Sequence, residues 1–341
     1  MKARRLLRSA AVAATTLLAG SAAAQEVTLR VQHFLPAGAP SQKQLIEPWC
    51  AAVGEQSGGR IACQIYPSMQ LGGAPPSLID QVRDGVVDVV WTLPSYTPGR
   101  FPKISVFELP FMVTDAVGTT KAINDYYEAH AQGEFETVHP ILFHVHARGV
   151  VHTKGRPVAD AADFQGLKLR APSREVGEML SKLGAAPVFM PVPQTPEALS
   201  KGVIDGAVVP WEVTVSLKLA ELTDNHLEIP GDRGLYAAVF LFAMNKAKFD
   251  GLPDDLKKVI DDNSGMAWAE RIGQAWEDAE APGLAAAKAR GNTIVTMDEA
   301  EIAKLREAGN AVTEAWVANT QGGAELVKAA QELIDRHSAA N

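Results

Sequence analysis

Short apolar stretches alternate with amphipathic ones along most of this chain. Residues 27–32 put Val27, Leu29 and Val31 on one face, the period of two that marks a half-buried strand. Residues 41–55 carry a helical pattern that Ser57, Gly58 and Gly59 bring to a stop. A strand over 60–66, a helix over 75–83 and a strand over 86–91 follow. The run GLKLR at 166–170 predicts another strand, and Ser173 can cap a helix that Gly184 ends after Leu183. Apolar-rich stretches at 141–151 and from Tyr236 to Met244 read as further strands. Beyond Pro253 the pattern is almost wholly helical: a long helix over 254–280, ended or kinked at Pro282 and Gly283, then a strand at 292–297 and helices at 299–319 and 324–338. Strands alternating with helices predict an α/β fold with mostly parallel sheets.

One segment echoes another. QVRDGVVDVVW at 81–91 matches ALSKGVIDGAV at 198–208: a helix end, a glycine, two β-branched residues and an aspartate entering a strand. Helix–glycine–strand units are common in α/β proteins, so the match is also compatible with no duplication. Its simplest reading is two similar lobes facing across a cleft. The strands at 141–151 and 236–244 are then the hinge crossings. One lobe comprises 25–147 and about 237–277, the other 148–236 and about 278–341, with the long helix lying across both.

Composition adds a compartment. Lys2, Arg4, Arg5 and Arg8 precede an apolar run and Ala22-Ala23-Ala24, the form of a secretory signal peptide cleaved after Ala24. Cleavage leaves 317 residues with 28 Lys and Arg against 40 Asp and Glu, a net charge of −12. So acidic a chain is not expected to bind nucleic acid. No later run of about 18 apolar residues could span a membrane. Cys50 sits in a helical pattern and Cys63 in a strand; an oxidising periplasm favours a disulfide between them, two separate buried thiols being the alternative.

Arg170 falls where a strand ends and a helix begins, the sheet edge at which open α/β folds bind ligands. A guanidinium there can grip a carboxylate with two parallel hydrogen bonds, or make a surface ion pair. The surrounding residues resemble a family signature. Pro157, DFQGLKLRAP at 163–172, GAAP at 184–187, Met190-Pro191 and ALSKGVIDG at 198–206 are similar to the D-L-K-G-L-K-I-R-x-P, G-A-x-P-x-x-M-P and A-L-x-x-G-x-[VI]-D-G pattern of the DctP-type solute-binding proteins of TRAP transporters. QLGG at 70–73, Gly85 to Asp88 and FELPF at 107–111 resemble further elements of that family. The resemblance covers nearly the whole chain after the signal peptide. It implies a two-lobed periplasmic-binding-protein-like fold, a receptor that closes on a small organic acid, Arg170 as carboxylate clamp, and TRAP permease subunits as membrane partners. The family often has an asparagine after the G-x-x-D-G turn, and members that bind keto acids through a cation have an acidic-Trp pair. Ala207 to Glu212 has neither, which points away from dicarboxylates and keto acids.

Aromatic residues stand at the corresponding strand ends: Trp91, Tyr96, Trp211 and Tyr236. They can stack on an aromatic acid, or surround the cationic group of a betaine- or sulfonium-like zwitterion, a version that Glu212 beside Trp211 favours; core packing is the plainer role. Arg148 suits either a second anion contact or an interlobe tie. His33 can reach a ligand or brace its own loop. His144 and His146 share a strand face, a spacing compatible with zinc, but no third ligand is evident and hinge packing is the better reading. No cofactor or metal is expected. There is no G-x-S-x-G, H-E-x-x-H, G-x-G-x-x-G or P-loop, which agrees with a receptor rather than an enzyme. A ligand-loaded sensor for a membrane signalling protein is the alternative on the same fold, and a periplasmic enzyme the more distant one.

Overall fold

The structure, a computed structural model, describes residues 26–339. The expected signal peptide, residues 1–24, lies outside the described residues. Eleven strands form among them: β1 Val27–His33, β2 Ile61–Tyr66, β3 Val89–Thr92, β4 Val138–Val145, β5 Val150–Thr153, β6 Lys168–Ala171, β7 Ala186–Phe189, β8 Gly206–Val209, β9 Asn225–Glu228, β10 Val239–Asn245 and β11 Thr293–Thr296. They make two sheets, ordered β2-β1-β3-β10-β4 and β11-β9-β5-β8-β6-β7.

Apart from the extra edge strand β11, the two sheets have one plan. In the first, β1 lies parallel between β2 and β3, and β10 runs antiparallel between β3 and β4. In the second, β6 lies parallel between β7 and β8, and β5 runs antiparallel between β8 and β9. The sequence echo falls on this correspondence. Asp88 accepts the Arg30 backbone N–H at 2.8 Å and returns its own N–H to the Arg30 carbonyl. Asp205 does the same with Lys168, also at 2.8 Å. Each aspartate therefore pins the entry of its strand, β3 or β8, to the parallel neighbour, β1 or β6. Gly85 and Gly202 end the preceding helices with φ of 73° and 68°, a conformation that costs glycine little.

The chain passes between the sheets at 146–149 and again at 229–238. The two crossings run side by side, with Gly149 N–H donating to the Tyr236 carbonyl at 3.0 Å and Ala238 N–H to His146 Nε2 at 2.9 Å. The expected long helix is two. Asp254–Asp262 ends at Asn263, and Met266–Ala289 starts after Gly265, whose φ is 55° and whose N–H donates to the Ile141 carbonyl. Pro282 and Gly283, expected to end or kink the helix, do not end it and lie inside it. The helix persists there because it packs on the short helix Trp211–Ser216, so closely that a Cβ at Gly283 would stand 2.2 Å from the Trp211 carbonyl oxygen. The same helix packs on Ala116–Tyr126 beside the first sheet, so it bridges the two halves.

Cys50, in the helix Glu47–Gln56, is bonded to Cys63 in β2 across 13 residues of sequence. Closing so short a loop is expected to add about 3 kcal/mol by restricting the unfolded chain. The Cys50→Ala/Cys63→Ala double variant should unfold at correspondingly lower urea; an unchanged midpoint would mean that the bond adds nothing.

Candidate ligand-binding site

The outward ends of β1, β3, β6, β8 and the start of β10 surround a cavity between the sheets. Its walls are largely rings: Phe34, Trp91, Tyr96, Tyr236 and Phe240. The cavity measures about 30 Å³. Trp91 stacks on Phe34 at 4.8 Å and on Phe240 at 4.7 Å, and donates from Nε1 to His144 Nε2 at 2.8 Å. Its plane is therefore held on both faces and at its edge. Tyr96 reaches from the first sheet to the second, where its hydroxyl accepts the Val192 N–H at 3.0 Å.

Arg170 enters this cavity from β6 and is 2% exposed. Its Nε donates to the Met190 carbonyl at 3.0 Å and its Nη1 to the Val208 carbonyl at 3.2 Å. Among the described residues no carboxylate lies within ion-pair distance of it. A guanidinium has five N–H donors, and two carbonyls leave its charge uncompensated. Burial opposes charge elsewhere in the site. It pushes the Tyr96 and Tyr236 hydroxyls up, against the opposing pull of Arg170. It lowers His146 to about 4, helped by Arg170. Neutral His146 donates from Nδ1 to the Ala147 carbonyl and accepts at Nε2, so it ties the two crossings together.

Of the residues picked out in the sequence, Arg170, Trp91, Tyr96, Tyr236 and Glu212 meet at this cavity. Trp211, Arg148 and His33 do not line it. Trp211 turns away and packs against His152 and His226, donating to Glu228 Oε1 at 2.8 Å. Arg148 donates to the carbonyls of Thr114, Gly231 and Asp232, which makes it a brace between the second crossing and the first half. His33 is buried behind Trp91 and bonds Gln42 at 3.0 Å. Phe34, Phe240 and His146 were not singled out as cavity walls. Phe240 sits in an unbroken apolar strand and carries no signal that separates it from core; Phe34, next to His33 before a proline, had a better one.

Other buried groups set the pH response. Burial raises Glu108, Glu212 and Glu280 to about 8 from an ordinary 4.5. It lowers His33, His146 and His226 to about 4, and His144 and His152 to about 3, from 6.5. Between pH 6.5 and 8 the unfolded carboxyls have lost protons that the folded ones keep, so stability falls as pH rises. Below pH 4.5 the unfolded imidazoles bind protons that the folded ones refuse, so stability falls with acid. Between these limits the two effects oppose each other. Urea midpoints at pH 4, 5.5 and 8 should therefore peak at 5.5; a steady rise to pH 8 would contradict this assignment.

A profile of the bacterial extracellular solute-binding proteins, family 7 (DctP), matches residues 31–320. The chain belongs to this family. As a family 7 protein it is a solute-binding receptor and not an enzyme, and its two-lobed fold is shared with solved relatives. A marine metagenome TRAP solute-binding protein specific for aromatic acid ligands, solved with 3-hydroxybenzoate, is 46% identical; the match covers 92% of this chain and 99% of that one with a TM-score of 0.90. A TRAP solute-binding protein from Rhodoferax ferrireducens, solved with copurified benzoate, is 44% identical over 92% and 99%, also at 0.90. One from Bordetella bronchiseptica, with (R)- and (S)-mandelate bound, is 29% identical over 91% and 99% at 0.84.

Proposed function

We propose that this family 7 receptor captures an aromatic monocarboxylate between its lobes and delivers it to the membrane subunits of a TRAP transporter. The observation that carries this reading is Arg170: a buried cation, held by two carbonyls, in a cavity walled by aromatic rings and, among the described residues, without a carboxylate in ion-pair reach. A ligand carboxylate supplies the missing charge, and its ring occupies the space beside Trp91, Phe34 and Phe240. The aromatic acids bound by the three relatives agree with that chemistry. Closure follows from ligand stabilising the lobes in contact, with the Tyr96 hydroxyl and Val192 N–H joined across the cleft. The basic, apolar and small-residue order of the first 24 residues supports export to the periplasm by signal peptide.

The test is calorimetric titration and thermal melting of the purified protein with benzoate, mandelate, succinate and glycine betaine. Benzoate or mandelate at about 100 times its Kd should stabilise the protein by ~2.7 kcal/mol. Binding of succinate or betaine in preference to both aromatic acids would replace this reading with a dicarboxylate or zwitterion receptor.

A further inference from the structure

Glu212 is an unspent polar group of this cavity. It begins the first turn of the helix Trp211–Ser216, is 4% exposed, and lines both the inner cavity and an outer groove bounded by Pro36, Gln44 and Ala275. It therefore stands at the outer end of the site. Its backbone N–H is taken by Glu280 Oε1 at 2.8 Å, but its carboxyl has no hydrogen-bond partner among the described residues. Its neighbours on the cavity wall, Val209, Pro210 and Val213, offer no side-chain donor or acceptor. The charge of Arg170 acts on Tyr96, Tyr236 and His146, whereas the charge acting on Glu212 is Glu280. The two ends of the cavity are thus chemically distinct: a cation within, a lone carboxyl outside.

We infer that Glu212 is a specificity-determining residue that hydrogen-bonds a hydroxyl on the ligand's aromatic ring, at the end remote from the carboxylate held by Arg170. The inference rests on the aromatic-acid reading of the site and narrows it to hydroxy-substituted acids. Burial beside Glu280 keeps the Glu212 carboxyl protonated at neutral pH, so it presents one O–H donor and one carbonyl acceptor. A phenolic hydroxyl can satisfy either. A bare ring leaves both unmade, which disfavours benzoate relative to its hydroxy derivatives. A cationic substituent needs the ionised carboxylate instead, and burial opposes ionisation.

The experiment compares Kd values for benzoate, 3-hydroxybenzoate and 4-hydroxybenzoate in the wild type and in Glu212→Leu, Glu212→Gln and Tyr236→Phe, with melting curves to establish folding. The wild type should bind at least one hydroxybenzoate roughly tenfold more tightly than benzoate, the worth of about one hydrogen bond. In Glu212→Leu the ratio should collapse to about one. Glu212→Gln, which keeps a neutral donor and acceptor, should retain most of it, and so should Tyr236→Phe. Equal affinity for all three acids in the wild type would overturn the inference while leaving the aromatic-acid reading intact. Loss of the preference in Tyr236→Phe with its survival in Glu212→Leu would overturn it too, in favour of the tyrosine. Failure of all three acids to bind the folded wild type would overturn the aromatic-acid reading, and the inference with it.

Discussion

Replacing Arg170 with methionine should weaken binding of an aromatic carboxylate by about 2–5 kcal/mol, roughly one and a half to three and a half orders of magnitude. The size of the effect follows from where the charge sits. Arg170 is buried, the protein groups it bonds are neutral, and the ligand is the only anion proposed to reach it. In water such a contact is worth little; in a desolvated cavity it dominates. The unliganded protein should respond far less. Removing an uncompensated buried cation stabilises it, while leaving the Met190 and Val208 carbonyls unpaired costs about 1–3 kcal/mol, and the two oppose each other. Arg170→Lys should fall between wild type and methionine, because an ammonium keeps the charge but cannot present two parallel N–H groups to a carboxylate. Calorimetric titration checks the first expectation and thermal melting the second. Unaltered affinity in a folded Arg170→Met protein would remove Arg170 from the site.

Trp91→Ala should have the largest effect on folding, about 3–5 kcal/mol of lost stability. The indole is 1% exposed, stacked on Phe34 and Phe240, and close to Trp276 at 6.5 Å. Its removal opens a void bordered by Phe34, Phe240 and Trp276 among other rings, and leaves His144 Nε2 without its donor. Ligand binding should fall with it, since Phe34 and Phe240 would lose the ring that spaces them. Trp91→Phe isolates the hydrogen bond: stacking is kept, the N–H is lost, and the cost should be about 1–3 kcal/mol. Urea unfolding of the two variants against wild type measures both numbers. A Trp91→Ala protein as stable as Trp91→Phe would mean that the cavity refills by repacking.

How much of this was legible beforehand depends on how local each signal is. The strands, the caps at Ser173 and Gly184, and the Asp88 and Asp205 turns depend on residues within a few positions of one another, and the two aspartates do make matching bonds. The Cys50–Cys63 bond was legible because one helix and the next strand bring its ends together. The break at Asn263–Gly265 was missed: the apolar pattern continues through it, and it is held by a bond to Ile141, more than 120 residues earlier in the chain. Pro282 misled in the opposite sense, since packing against Trp211 sustains a helix that local preference would end.

Trp211 and Glu212 show the limit most clearly. Both follow β8, and sequence reasoning placed both at the cleft. A helix begins at Trp211, so successive side chains diverge by about 100°. Glu212 turns into the cavity and Trp211 onto His226 and Glu228. Nothing within β8 could have assigned the faces, because all four of its residues are buried and no polar side marks the solvent. Arg148 shows the same for charge: two of its three carbonyl partners, Gly231 and Asp232, lie on the second crossing, which only folding brings beside the first. The sequence alone determined the family, the α/β alternation, the repeated strand-entry unit and the place of Arg170 at a strand end, because each is carried by near neighbours in the chain. The tertiary structure alone decided which rings face the cavity and, among the described residues, which of its cations is left without an anion and which of its carboxyls without a partner, because those depend on helix phase and on surfaces contributed by segments far apart in sequence.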